Sequence, residues 1–210
     1  MSSRRPWSRR VSVTAVSAAA LLALAAPADA TTTGTTTTAT ATSAAADVDY
    51  ATWQKDCQAV MDQALPYLKQ RIAATRPGEK QAIVFDIDNT TLETDFGFSY
   101  PQPANKPVLQ AAQYAQDHGV ALFFVTARPG IIYSATDYNL KKVGYKVSGL
   151  HVRSFIDLFK NVAEYKTAQR VDIESKGYTI IANIGNSATD LSGGHAEKTF
   201  KLPDYNGQLS

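Results

Sequence analysis

The chain has 210 residues, with 21 Lys and Arg against 19 Asp and Glu, three His and one Cys. One cysteine excludes an internal disulfide framework, so an apolar core must hold the fold. The small net charge of +2 excludes a nucleic-acid or anionic-membrane partner recruited by bulk charge.

Residues 1–30 read as an export signal. Arg4, Arg5, Arg9 and Arg10 precede a short apolar run rich in small residues, and an A-x-A pattern ends at Ala30. The run is shorter than the roughly 20 residues a spanning helix needs, so no membrane anchor is expected after cleavage. Ser8-Arg9-Arg10 also fits a twin-arginine signal. Cleavage would take away four arginines and Asp29, lowering Lys and Arg from 21 to 17 and Asp and Glu from 19 to 18. Residues 31–46, TTTGTTTTATATSAAA, have no periodic apolar face and read as a low-complexity linker. Residues 47–210 suit one domain, and the expected location is secreted or extracytoplasmic.

Across 48–74, Trp53, Cys57, Val60, Met61, Ala64, Leu65, Leu68 and Ile72 recur at helical spacing, and Pro66 predicts a kink or a division. Cys57 reads as a small buried side chain in that helix. The run 82–85 predicts a first strand and 120–125 a second. Short strands are expected at 150–153, 178–182 and 199–202. Helices are expected at 108–117, 132–142 and 162–173, with His118-Gly119, Gly144 and Gly177 as stops. Continuously apolar strands alternating with helices indicate a parallel sheet covered on both faces, an α/β fold. Ligands of such sheets bind beyond the carboxyl ends of the strands.

The strand ends carry the chemistry. The first leads into Asp86-Ile87-Asp88-Asn89-Thr90 and the second into Thr126-Ala127-Arg128. Lys166 lies in the helix before the fourth strand, which leads into Gly185-Asn186-Ser187-Ala188-Thr189-Asp190. Side-by-side carboxylates repel unless a cation and separate tasks justify them. Asp86 can attack phosphorus without a base, because it is already ionised. Mg²⁺ would offset the anion–anion repulsion, held by Asp86, Asp190, the Asn186 amide oxygen and the Asp88 carbonyl. Lys166 and Thr126 can hold the remaining phosphate oxygens, with Arg128 as a further phosphate contact or a cap on the rim. Asp88 can protonate the leaving alcohol and then activate water.

At these residues the chain resembles the haloacid dehalogenase-like (HAD) superfamily of phosphohydrolases. FDIDNT is similar to its D-x-D-x-T motif, VTAR to its threonine motif, EYKTAQR to its lysine motif and GNSATD to its acidic fourth motif. The nearest resemblance is to secreted acid phosphatases, including plant acid phosphatases and vegetative storage proteins. It implies a Rossmann-like fold, Mg²⁺ as cofactor and hydrolysis of small phosphomonoesters through an aspartyl-phosphate. It makes Asp86 the nucleophile, Asp88 the acid/base, Thr126 and Lys166 phosphate holders and Asp190 a metal-site residue. Asn186 departs from it, standing where the fourth motif usually has its first aspartate. An amide oxygen carries no charge, so a catalytically impaired phosphate-binding or storage-type protein is the alternative. Some storage-type relatives lack the nucleophile, whereas Asp86 is present.

Only residues 91–107 separate the first motif from the next helix, so a small cap or none is expected. The loop Phe96-Gly97-Phe98-Ser99-Tyr100 reads as a flap over the site, with packing on the N-terminal helix as the other reading. His195 reads as structural or solvated.

Overall fold

A computed structural model describes residues 48–97 and 99–209. The expected signal segment, the linker, and Phe98 of the aromatic loop lie outside the described residues.

The first helix, α1 (Tyr50–Ala73), begins where the Asp49 carboxylate accepts from the Thr52 N–H at 2.8 Å. It runs through Pro66 as one element, which corrects the expected division. Trp53, Cys57 and Met61 before the proline and Leu68 and Ile72 after it are all buried on one stripe. Burying each large side chain is worth about 1.5–3 kcal/mol, enough together to outweigh one lost backbone hydrogen bond.

Strand β1 (Lys80–Phe85) follows, then α2 (Lys106–Asp117), β2 (Ala121–Pro129) and α3 (Tyr133–Lys142). The chain continues through β3 (Val147–Arg153), α4 (Val162–Ser175), β4 (Tyr178–Gly185), the short helix α5 (Ala188–Leu191) and β5 (Thr199–Lys201). The strands form one sheet in the order β3-β2-β1-β4-β5, and every pairing is parallel. Alternate residues of β1 face opposite layers. Ile83 and Phe85 join the core beneath α1, α2 and α3, where Phe85 stacks on Phe124 at 5.8 Å. Ala82 and Val84 join Tyr165 and Ile173 beneath α4. Helices thus cover both faces, as expected.

The topology places the site. The chain steps from β1 out to β2 and β3, then returns to the far side of β1 for β4. The carboxyl ends of β2, β1 and β4 therefore lie side by side, at the crossover where such sheets bind ligands. Strands β1 and β3 begin two and three residues earlier than their apolar runs predict, and two others run further at their carboxyl ends. β2 carries Thr126 and Arg128 within it, and β4 reaches Gly185 because Ile83, Val84 and Phe85 pair with Ala182, Asn183 and Ile184. Among the described residues no helix is long and apolar enough to cross a membrane.

Candidate active site

After Phe85 the chain turns so that Ile87 is buried in the main core while Asp86 and Asp88 face the crevice. The Ile87 carbonyl gathers the N–H groups of Thr90, Thr91 and Leu92 at 3.0–3.2 Å, which ties the turn. Asn89 at its apex has φ of 50°, a left-handed conformation that asparagine tolerates better than most residues.

Asp86, Lys166 and Asp190 meet as one buried cluster. The Lys166 ammonium donates to Asp86 Oδ1 at 2.6 Å and to Asp190 Oδ1 at 2.5 Å. Burial pushes the Asp86 carboxyl upward, and Asp190 and Asp88 add to this against the opposing pull of Lys166. Burial also works against the charged Lys166, but Asp86 and Asp190 outweigh it and raise its pKa. Lys166 therefore pairs across the site, and not with Glu164 on the helix surface.

Asp190 has a second role. Its Oδ2 accepts from the Ser187 N–H at 2.8 Å, and Ser187 caps α5 in return, a reciprocal capping box. Gly185 makes room for it: a methyl group there would lie within 2.5 Å of Asp190 Oδ2. Arg170 and Asn183 both donate to the Asp190 carbonyl, at 2.8 and 2.9 Å. Arg170 is fully buried and also holds the carbonyls of Gly194 and Ser192. This arginine closes the EYKTAQR segment, but sequence reasoning assigned it no role in the site. Its position one turn after Lys166, on the same helix face, is the signal that pointed to it.

Asn186 sits between two partners. Its Oδ1 accepts from the Thr90 hydroxyl at 3.2 Å, and its Nδ2 donates to the Leu209 carbonyl at 2.5 Å. Thr126 is fully buried at the rim of β2, where its hydroxyl accepts from the Arg128 N–H at 3.1 Å. Arg128 turns toward Asp88, donating from Nε and Nη2 at 2.8–3.1 Å. It also reaches Gln102 and Thr136. Burial works against the Asp88 charge, but the guanidinium outweighs it and holds that carboxyl below its ordinary value.

Two cavities flank Asp88. One, of about 430 Å³, is lined by Asp86, Asp88, Lys166, Asn186, Asp190 and Leu209 among others. The other, of about 510 Å³, is lined by Asp88, Arg128, Gln102, Thr136, Tyr100 and Ile132 among others. Asp86 borders only the first, whereas Asp88 borders both. The aromatic loop divides its parts. Phe96 stacks on Trp53 of α1 at 4.3 Å, while Gly97, Ser99 and Tyr100 border the second cavity. His195 lies at the surface, with Nδ1 2.6 Å from Glu174.

Comparisons with known proteins bear on the family and the fold. The family model described as HAD superfamily, subfamily IIIB (Acid phosphatase) matches residues 6–102 and 99–208. The Stem 28 kDa glycoprotein of Glycine max is 32% identical over 176 residues, covering 72% of this chain and 68% of the relative. A Stem 31 kDa glycoprotein of Glycine max is also 32% identical, but the match spans 59% of its length. The class C acid phosphatase from Bacillus anthracis shares the fold with a TM-score of 0.59 at 17% identity, covering 75% of this chain and 80% of that one. A structure of that enzyme with tungstate bound matches with a TM-score of 0.57. Four motif segments, one parallel sheet and a family match across both halves thus agree: this chain belongs to the acid phosphatases of HAD subfamily IIIB, a family of phosphomonoester hydrolases.

Proposed function

We propose that this chain is an exported, Mg²⁺-dependent acid phosphatase that hydrolyses small phosphomonoesters through a phosphorylated Asp86. Residues 1–30 would direct export and 31–46 would link the signal to the catalytic domain, residues 47–210. The observation that carries the catalytic reading is the position of Asp88 between two cavities, one shared with Asp86 and Lys166 and one open toward Tyr100 and Ile132. A phosphoryl group in the first and its leaving alcohol in the second would put the scissile bond beside Asp88.

Asp86 attacks phosphorus through a carboxylate oxygen as the bond to the leaving oxygen breaks. Arg128 holds the Asp88 carboxyl low before substrate binds, so the incoming phosphate charge must first raise it; Asp88 then delivers a proton to that oxygen, releasing the alcohol. Asp88 then takes a proton from water, the water oxygen attacks phosphorus, and the bond to Asp86 breaks to give inorganic phosphate. Lys166, Thr126 and, through its grip on Asp88, Arg128 hold charge and orientation as the phosphoryl group passes.

The chemistry of the cavity lining suits a hard divalent cation, while among the described residues no three His, Cys, Asp or Glu side chains are already gathered as a metal site. Asp86, Asp88, Asp95 and Asp190 line the first cavity against the single cation Lys166, and a bound phosphate adds further negative charge. Asp86, the Asp88 carbonyl, Asn186 and Asp190 would hold Mg²⁺, which would supply charge neutralisation for the approach of anion to anion. Both oxygens of Asp190 already accept a hydrogen bond, so it has fewer lone pairs to offer than Asp86.

Asn186 keeps the storage-type reading in play, because its neutral amide is engaged by Thr90 and Leu209. The deciding experiment is hydrolysis of an aryl phosphate across acid and neutral pH, with Mg²⁺ and with EDTA, beside Asp86→Asn. Turnover that disappears with EDTA and with the variant supports the phosphatase. No turnover above the variant with any divalent metal or with several phosphomonoesters sinks it in favour of a binding or storage protein.

A further inference from the structure

Residues 202–209 return from β5 to the site as a hook. Leu202 and Leu209 bury their side chains in the main core. Between them Tyr205, Asn206 and Gly207 take φ of 48°, 59° and 86°, and the Leu209 N–H closes the turn on the Asp204 carbonyl at 3.1 Å. Left-handed backbone at two non-glycine residues costs roughly 1–2 kcal/mol each, so other contacts must hold the hook shut. On its outer side the Tyr205 hydroxyl donates to Asp56 at 2.7 Å. Lys201 donates to the Asn186 carbonyl at 2.8 Å and pairs with Asp204 at 3.0 Å.

The inner end is gripped by the site itself. The Leu209 carbonyl accepts from Asn89 Nδ2 at 3.0 Å and from Asn186 Nδ2 at 2.5 Å. Asn89 belongs to the loop after β1 and Asn186 to the loop after β4. One carbonyl therefore ties both loops together, and Leu209 lines the cavity that holds Asp86. The Thr90 hydroxyl donates to Asn186 Oδ1 at 3.2 Å, which orients the amide so that its N–H₂ faces Leu209.

We infer that Asn186 is a positioning residue whose amide clamps the 202–209 hook in place as a wall of the active site. Only an amide does this. A carboxylate at 186 would set an acceptor against the Leu209 carbonyl with no proton between them, leaving Asn89 as the sole donor to that carbonyl. Asn186→Asp, the change that restores the acidic fourth motif, therefore releases the hook. The clamp does not depend on the phosphatase reading; only its effect on turnover rests on that reading.

Amide hydrogen exchange of the full chain, without substrate or metal, tests the clamp. In both Asn186→Asp and Asn89→Ala the amides of Gly207, Gln208 and Leu209 should exchange at least about tenfold faster, while those of β1 and β4 stay slow, showing an intact fold. Hook exchange in Asn186→Asp equal to that of the unaltered chain overturns the inference. Leu209→Ala removes the wall without touching either amide. With an aryl phosphate it should raise KM severalfold and lower kcat less, whereas a purely structural hook would lower kcat at constant KM and overturn the wall. If no form turns over the aryl phosphate, the exchange result still decides the clamp and the phosphatase reading falls alone.

Discussion

The Lys166 ammonium lies 2.6 Å from Oδ1 of Asp86, and both side chains are buried. Asp190 shares the same ammonium at 2.5 Å. Removing one partner of a buried pair leaves the others uncompensated, at a cost of about 3–5 kcal/mol. Lys166→Met should therefore lower stability by that order and reduce kcat/KM by about 10²-fold or more, because phosphate charge also goes unmet. Denaturant unfolding and steady-state kinetics read the two effects separately. A variant of unchanged stability would place the lysine outside the cluster.

Gly185 is required by space, and its φ is not in the left-handed region. Its missing side chain lets Asp190 fold back over the end of β4. Gly185→Ala should push Asp190 off Lys166 and Ser187, costing about 1–3 kcal/mol of stability. Activity should fall about 10²-fold, since misplacement by an ångström is enough. Kinetics at unaltered activity would show that Asp190 has no fixed place in the chemistry.

Glu79 lies far from the site and predicts acid behaviour. Its carboxylate accepts from Arg71, with Nη1 at 3.2 Å, and from the Arg76 N–H at 2.9 Å. These contacts, led by Arg71, hold its pKa down at about 2. A depressed folded value means stability present above the ordinary carboxylate value of about 4.3 and lost as pH falls toward 2. Glu79→Gln should melt below the unaltered chain at neutral pH and with it at the acid end. Melting curves that differ by the same amount at every pH would contradict this assignment.

Cys57 should be inert. It is buried in α1, accepts from Asn105 Nδ2 at 3.4 Å, and burial pushes its thiol up to about 12. A thiol-specific reagent at mildly alkaline pH should leave the folded protein unmodified and label it fully in denaturant. Rapid labelling of the folded chain would show an accessible, reactive thiol instead.

Much of this was legible in local pattern. The apolar runs located β1, β2 and β4, because buried parallel strands leave little choice of residue, whereas the outer strands β3 and β5 are half exposed and carried a weaker signal. The residues after three of them announced hard-oxygen and phosphate chemistry, since few other chemistries use two carboxylates, a threonine and a lysine in that order. Element ends were less legible. β4 runs on to Gly185 and β2 to Pro129 because neighbouring strands supply hydrogen-bond partners that composition does not show. The partners of Arg128 and Arg170 were not legible either. A guanidinium looks alike on a surface and in a core until the chain brings carboxylates or carbonyls around it.

The sequence by itself determined the alternation of strand and helix, the order of the motif segments and the presence of an amide at position 186. Only the tertiary structure decided that β1 lies between β2 and β4, which brings segments far apart in the chain onto one rim. It also decided that Asn186 faces the Leu209 carbonyl. The physical reason is range: periodicity and propensity act over a few residues, whereas an ion pair such as Lys166 with Asp86, or an amide on a carbonyl 23 residues away, exists only once the sheet has set the distance.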